Sequence, residues 1–134
     1  MSRAHIAAIM ALVPSGIGKH DSEVTAANPP MPYVVVRAPG LRDDVQLTIN
    51  GRSYIRDFIH VTYVGATVEQ ARWCQEKVRP KLNRAKTSIT GWRGRLTLIA
   101  TTPLDVDREV MLPGTGHPAY VVDTFRYTAQ PVAS

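Results

Sequence analysis

The feature of this sequence that most constrains its fold is a long run of strand-forming residues that begins directly after an Asn-Gly pair. Residues 45–49 alternate between apolar and polar side chains, Asn50-Gly51 follows at once, and residues 52–64 are rich in β-branched and aromatic side chains. Asn-Gly between such segments is a strong hairpin signal, because both residues tolerate a positive φ. The pattern predicts one long β-hairpin, with its return strand bent or bulged near residues 56–57 because of its length.

A helix is predicted immediately after that strand. Gly65 breaks the strand pattern, Thr67 has the character of an N-cap, and Gln70 follows at the spacing of a capping box. Pro80 lies inside the helical pattern, so the helix is expected either to end at Arg79 and restart or to kink there. The apolar stripe of this helix comprises Ala71, Cys74, Val78 and Leu82.

The remaining elements complete an α+β pattern in a chain whose 134 residues suit a single domain. Residues 2–13 are expected to form an N-terminal helix, residues 14–32 a loop and residues 33–131 the core. The order of elements predicts a mostly antiparallel sheet with helices packed on one face. Further strands are predicted at 33–37, 88–90, 95–100 and 119–128, and a long loop at 101–118.

The positive charge of the chain is concentrated in one segment. The net charge is +5, but residues 72–95 hold eight basic residues and one acidic residue, so this segment carries +7 and the rest of the chain −2. Such a segment forms either a basic patch that faces nucleic acid or an acidic protein surface, or a solvated helix face followed by a basic loop. The longest apolar cluster, at residues 6–13, is too short to span a membrane.

Motifs of catalysis and metal binding are weak or missing in the sequence. Residues 13–20 superficially match a phosphate-binding loop, but Val13 and His20 occupy positions that need Gly and Ser or Thr. Cys74 lies on the apolar helix face, where an inert buried thiol is expected, and it has no second cysteine to pair with. The histidines lack the local spacing of a metal site; they are His5, His20, His60 and His117. We therefore expect no catalytic residue, no cofactor, no metal and no enzymatic activity.

The acidic residues and the tryptophans are expected to have packing or contact roles. Asp105 and Asp107 belong to a loop edge that is better explained by solvation than by cation binding. Asp123 stands in an otherwise apolar strand, where it is expected to pair with an arginine across the sheet. Trp73 is expected to pack at the helix edge. Trp92 is expected to be exposed on a turn, and an exposed tryptophan beside arginines is typical of a protein–protein hot spot.

Four segments carry a resemblance to a known family. They are residues 32–36 (Pro-Tyr-Val-Val-Val), 61–73, 77–82 with Lys77-Val-Arg79 and Leu82, and 118–127 (Pro-Ala-Tyr-Val-Val-Asp-Thr-Phe-Arg-Tyr). The second is the most specific, since its strand ends in Val-Gly and its helix opens Thr-x-x-Gln-Ala-x-Trp. In these segments the chain resembles the tail terminator (tail completion) proteins of long-tailed bacteriophages, especially those of actinobacterial hosts, over residues 32–131.

The resemblance implies a structural protein of the virion. Tail terminators form a ring, commonly a homohexamer, on the head-proximal end of the finished tail tube. The ring stops further addition of the tail tube protein and offers a joint to the head–tail connector or stopper protein, and genomic DNA passes through its lumen without specific binding. Such a protein is assembled in the host cytoplasm and contacts no membrane. Two alternatives stay open: a neck or head-closure protein of the same particle, and a nucleic-acid-binding module that uses residues 72–95.

Contact regions are expected where turns and loops are exposed. The hairpin tip, the turn at Trp92 and the acidic loop offer such surfaces for neighbouring subunits. The predicted protein-interface residues are Asn50, Gly51, Arg52, Trp92, Arg93, Arg95, Asp105, Asp107 and Arg108.

Overall fold

The computed structural model describes residues 2–21, 30–38, 47–49, 52–107 and 117–132. These residues form two helices and eight strands, and they confirm the α+β class. In chain order the elements are α1 (Ser2–Met10), β1 (Gly18–Asp21), β2 (Tyr33–Arg37), β3 (Leu47–Ile49), β4 (Arg52–Gly65), α2 (Val68–Leu82), β5 (Lys86–Ile89), β6 (Trp92–Thr101), β7 (Asp105–Val106) and β8 (Ala119–Pro131).

The strands form a sheet in the order β1-β2-β4-β8-β6-β5, with β3 paired to β4 and β7 paired to β8. All of these pairs are antiparallel except β1 with β2. The centre of the sheet is β4 with β8, whose register runs unshifted from Ile55 opposite Ala129 to Gly65 opposite Ala119. The prediction of a bulge near residues 56–57 is therefore wrong, because β8 pairs with β4 residue for residue in this region. The register shift lies in β6 instead, between Leu98 and Ala100.

Among the described residues, one face of the sheet is covered by the helices and the other is exposed over much of its area. Residues that lie directly opposite each other in an antiparallel pair share a face, and successive residues alternate between faces. Odd-numbered residues of β4 and β8 therefore share what we name the inner face, on which α2 packs. Ile59, Tyr63 and Phe125 are buried there. Even-numbered residues of the same strands, such as Phe58 and Arg126, form the outer face.

Helix α2 begins as the sequence predicts. The Thr67 side-chain oxygen accepts a hydrogen bond from the backbone N–H of Gln70 at 3.1 Å, and the Gln70 side chain accepts one from the backbone N–H of Ala66 at 2.6 Å. The predicted apolar stripe is fully buried. The helix runs on through Pro80 to Leu82, so the expected restart is wrong. Proline removes only one helical hydrogen bond in this last turn, and the buried Val78 and Leu82 on either side hold it against the sheet.

The N-terminal segment differs from its prediction in two ways. Helix α1 ends at Met10 rather than at residue 13, because the backbone N–H groups of Leu12 and Val13 bond three residues back and tighten the chain before Pro14. The predicted loop at 14–32 contains β1, an edge strand parallel to β2. Its Gly-Lys-His-Asp sequence has no apolar alternation, because a strand at the edge of the sheet buries little.

The later strands are longer than predicted. Strand β5 begins at Lys86 rather than at residue 88, β6 covers Trp92–Thr101 instead of 95–100, and β8 continues to Pro131 instead of ending at 128. The predicted loop at 101–118 contains the short strand β7. These extensions come from pairing between distant segments, which local alternation does not reveal.

Candidate functional site

The outer face carries a row of basic side chains that crosses four adjacent strands. Lys86 of β5 lies opposite Arg95 of β6, Arg95 lies opposite Thr128 of β8, and Thr128 lies opposite Arg56 of β4. Neighbouring strands are about 4.8 Å apart, so the row spans about 14 Å. The basic residues of the row come from chain positions far apart in sequence, and only the sheet brings them together.

Two further arginines widen this row into a patch. Arg93 lies two residues from Arg95 on the same face of β6, and Arg126 lies two residues from Thr128 on β8. All the basic side chains of the patch are exposed except Arg126, which is half-buried. We name this surface the basic patch; it comprises Arg56, Lys86, Arg93, Arg95 and Arg126.

A shallow cavity opens within the basic patch. Its volume is about 690 Å³, and its lining residues include Lys86, Arg93 and Arg95 together with Thr128 and Gln130. Three cations, a hydroxyl and an amide thus converge on one concave surface. These groups are hydrogen-bond donors, so the cavity is suited to an anionic group.

Phe58 stands at the border of the basic patch. It lies directly opposite Arg126 on the outer face and is 50% exposed, the highest exposure among the large apolar side chains of the described residues. One row further along, His60 Nδ1 lies 3.1 Å from the Thr124 hydroxyl oxygen. His60 therefore contributes to the polar surface beyond Phe58, as a surface histidine.

Acidic side chains lie at the other end of the outer face. Asp105 is exposed and lies opposite Tyr120 of β8, eight residues from Thr128. At about 3.4 Å per residue this separation is about 27 Å. The pKa of Tyr33 is raised by burial and then by Asp107, which places this second carboxylate near the same end. The outer face is thus polarised along its strands, with opposite charges at its two ends.

The predicted interface residues are only partly brought together by the fold. Arg93 and Arg95 belong to the basic patch, whereas Asp105 and Asp107 lie at the opposite end of the outer face. Three members of the set lie outside the described residues: Asn50, Gly51 and Arg108. Arg52 is described only as the first residue of β4. The alternation of β4 and β8 assigns the remaining patch members, Arg56 and Arg126, to one face, but only the register of the strands places them beside Arg95.

The expectation that Trp92 is exposed on a turn is wrong. Gly91, with a φ of 83°, closes the β5–β6 hairpin, and Trp92 is already the first residue of β6. Its ring is partly buried on the inner face and meets the His5 ring edge-on, with 5.0 Å between the ring centroids. The exposed tryptophan is Trp73 of α2, which is 46% exposed and has the Lys77 ammonium 6.0 Å from its ring centroid.

The basic segment at 72–95 is divided between two sides of the protein. Arg72, Lys77 and Lys81 are exposed on α2, which covers the inner face. Arg93 and Arg95 lie on the outer face. The sheet separates the two groups, so the segment does not form one surface, and the basic patch recruits residues from outside it.

A partly buried ion pair joins α2 to the inner face of the sheet. Asp123 is fully buried, and its carboxylate accepts hydrogen bonds from Arg79 at 2.7 and 2.9 Å, from the Tyr63 hydroxyl at 2.8 Å and from Gln75 at 3.1 Å. Burial raises the pKa of Asp123, but the hydrogen bonds from Arg79 and Tyr63 outweigh it, and the pKa lies below its ordinary value. The arginine partner was expected across the sheet; it comes instead from the helix, because Asp123 faces α2.

The other reactive groups on the inner face are also packed. Burial raises the pKa of the Cys74 thiol to about 12, so this side chain is an inert part of the core. Within the described ranges, no group of three or more His, Cys, Asp or Glu side chains is arranged to hold a metal ion. Neither helix in this part of the chain is long and apolar enough to cross a membrane.

Comparison with known proteins gives a structural likeness without a sequence family. No protein-family model matches the chain, and a search of curated proteins finds no match. A chain from the virion of a native gene transfer agent (GTA) particle has a similar fold, with a TM-score of 0.59 over 91% of this chain and 84% of that chain. The two sequences are 14% identical. At that identity the likeness concerns the fold alone: this protein has the fold of a component of a gene transfer agent virion.

Proposed function

We propose that this protein is a structural component of a tailed, phage-like particle and acts there as the tail terminator. The observation that carries the proposal is the likeness to a virion component over nearly the whole of both chains. A likeness of that extent involves the complete arrangement of sheet and helices rather than one common motif. It favours an assembly protein over an enzyme or an isolated nucleic-acid-binding module.

The segments that resemble tail terminators support this choice among virion proteins. Residues 32–36 lie mostly in β2, residues 61–73 cross from β4 into α2, and residues 118–127 lie mostly in β8. Strands β2, β4 and β8 are neighbours in the sheet, and α2 packs on β4 and β8. The resemblance therefore falls on one contiguous part of the fold, although its segments are dispersed in sequence.

The proposed mechanism is the blocking of a growing polymer. A ring subunit contacts its neighbour through two different surfaces, and such contacts close only when the rotation between subunits closes. The completed ring matches the last ring of tube protein on one side and denies a matching surface to the next subunit on the other. Many modest contacts add up because the subunits are held together.

The role we propose involves no covalent chemistry. Asp123, Tyr63 and Arg79 are committed to a network that holds α2 to the sheet, and the Cys74 thiol lies in the core, where burial raises its pKa to about 12. The proposed place of the protein is the head-proximal end of the tail. Its proposed partners are further copies of itself, as a hexamer, the tail tube protein and the connector or stopper protein.

Electron microscopy of particles made without the protein tests this function. Deletion of its gene should give tails of uncontrolled length that are not joined to heads, and supplying the gene in trans should restore normal particles. The neck or head-closure alternative predicts tails of normal length that lack heads. Joined tails of normal length in the deletion would exclude both roles. The purified protein, imaged alone and with tail tubes, should form rings and cap tube ends.

A further inference from the structure

We infer that the basic patch on the outer face binds the phosphate backbone of DNA. The inference goes beyond the terminator role, because it assigns a ligand to a surface and does not depend on the ring. It stands on three observations: the gathering of like charges, the shape of the cavity, and the position of the aromatic side chain.

The gathering of like charges is unfavourable within the isolated chain. Lys86 and Arg95 lie directly opposite each other, and like charges in that position destabilise a sheet. Arg93 adds a third cation two residues from Arg95. Arg79, by contrast, has a carboxylate partner, since it pairs with Asp123 on the other face of the sheet. Among the described residues, the acidic end of the outer face lies about 20 Å from Arg126 and about 27 Å from Thr128, so the cations of the basic patch are left to be compensated by an external anion.

The dimensions of the basic patch fit a nucleic-acid backbone. The patch spans about 14 Å across the strands, and a DNA strand carries one phosphate per about 3.4 Å of helix axis. The four exposed cations of the patch can neutralise up to about four phosphates of such a backbone. Arginine guanidinium groups bind phosphate oxygens in bidentate fashion, and the Thr128 hydroxyl and Gln130 amide that line the same cavity are further donors.

DNA explains the patch better than an acidic protein surface does. The cores of protein–protein interfaces are depleted in charged residues and contain aromatic anchors at their centre. In this patch the cations occupy the centre and Phe58 stands at the border, whereas protein–DNA interfaces are strongly positive throughout. The inferred contacts are made to phosphate groups, which carry no sequence information, so we expect the binding to be independent of base sequence.

Salt-dependent binding of a labelled, random-sequence DNA duplex tests the inference. Fluorescence anisotropy should show binding at low salt, with log K falling linearly against log salt with a slope of about −3 to −4 for four phosphates. The variant Arg95→Glu should lower the affinity at least tenfold and make the slope shallower by about 1. Arg126→Glu serves as a second variant if the first fails to fold, as judged by circular dichroism.

The matched control is Arg72→Glu, which makes the same charge change on the exposed side of α2. It should leave the affinity within about twofold, because only the outer face is engaged. The inference is overturned if the wild-type protein does not bind the duplex at low salt, if Arg72→Glu weakens binding as much as Arg95→Glu, or if a polyglutamate chain binds the patch while DNA does not. Electron microscopy of the same samples separates the two proposals: DNA binding without rings contradicts only the terminator role, and rings without DNA binding contradict only this inference.

Discussion

The two faces of the sheet differ in how their charged side chains are buried and paired. On the inner face, Asp123 is fully buried and accepts four hydrogen bonds, two of them from Arg79. On the outer face, the basic patch holds five cations, of which four are exposed and Arg126 is half-buried. A buried charge without a partner costs several kcal/mol, so the inner face admits only a satisfied pair. An exposed charge costs little, so the outer face can carry charges whose partner belongs to another molecule.

The largest loss of stability is expected from a substitution on the inner face. Asp123→Asn keeps the shape of the side chain but removes the charge that Arg79 and Tyr63 stabilise. We expect the free energy of unfolding to fall by about 3 kcal/mol, as measured by urea denaturation at neutral pH. The neighbouring outer-face change Thr124→Ala is the control and should have a small effect. A loss below about 1 kcal/mol for Asp123→Asn would contradict the structural importance of the pair.

The same carboxylate predicts an acid dependence of stability. Because the pKa of Asp123 is lower in the folded protein than its ordinary value of 3.8, the unfolded state binds the proton more readily. The stabilisation from this group is therefore complete well above pH 4 and is lost as the pH falls through the folded-state pKa. Urea denaturation at a series of acidic pH values should show this loss in the wild-type protein and a weaker dependence in Asp123→Asn. Equal pH profiles for the two proteins would contradict it.

The next largest loss of stability is expected from a substitution at Gly65, where strand β4 closely approaches α2. A Cβ atom on Gly65 would lie 2.8 Å from the carbonyl carbon of Gln70 and still closer to the backbone nitrogen of Ala71, and neither atom can move away as a side chain could. Gly65→Ala should therefore lower the free energy of unfolding by about 2–3 kcal/mol. Gly16→Ala is the matched control, because nothing lies within 4 Å of its added Cβ atom. Similar melting temperatures for the two variants would contradict the close approach.

A smaller effect is expected at the other end of the inner face. The Tyr127 hydroxyl lies 2.6 Å from His5 Nδ1 and 3.1 Å from the Thr87 hydroxyl oxygen, and all three residues are buried. Tyr127→Phe removes the group that joins α1 to the sheet, so we expect a loss of about 1–2 kcal/mol in urea denaturation. Tyr120→Phe, on the outer face, is the control and should be close to neutral. A neutral Tyr127→Phe would show that the hydroxyl contributes little to the docking of α1.

The smallest effect on stability is expected in the basic patch. Arg95→Glu should change the free energy of unfolding by no more than about 0.5 kcal/mol, because the side chain is exposed and its replacement relieves the repulsion from Lys86. Urea denaturation of this variant beside Asp123→Asn measures the contrast between the faces directly. A loss of 2 kcal/mol or more in Arg95→Glu would mean that the basic patch stabilises the fold rather than serving a partner.

Local signals in the sequence predict the elements of the inner face well. Thr67 and Gln70 cap α2 as predicted, since both partners lie within one turn of the helix. The apolar stripe from Ala71 to Leu82 is buried because helical spacing alone determines it. The buried strand predicted at 33–37 is confirmed, with its three valines buried.

The outer face could not be predicted in the same way, because it depends on pairing between distant strands. Arg56, Arg95 and Arg126 become neighbours only through the register of β4, β8 and β6. Within the basic segment, the alternation of β6 places Trp92 on the inner face and Arg93 on the outer face. Residues that are adjacent in sequence therefore lie on opposite sides of the sheet. The interface role of the whole predicted set remains a prediction, and Asn50, Gly51 and Arg108 lie outside the described residues.

The buried phenol groups of the inner face have a spectroscopic consequence. The pKa values of Tyr63 and Tyr127 are raised, by burial above all, so these rings stay neutral in the folded protein at alkaline pH where an exposed phenol ionises. Their ultraviolet absorbance near the phenolate band should rise only when alkali unfolds the chain, since stability is lost as the pH climbs above the ordinary value of 10.0. The molecule thus contains its own optical indicator of unfolding, which needs no dye.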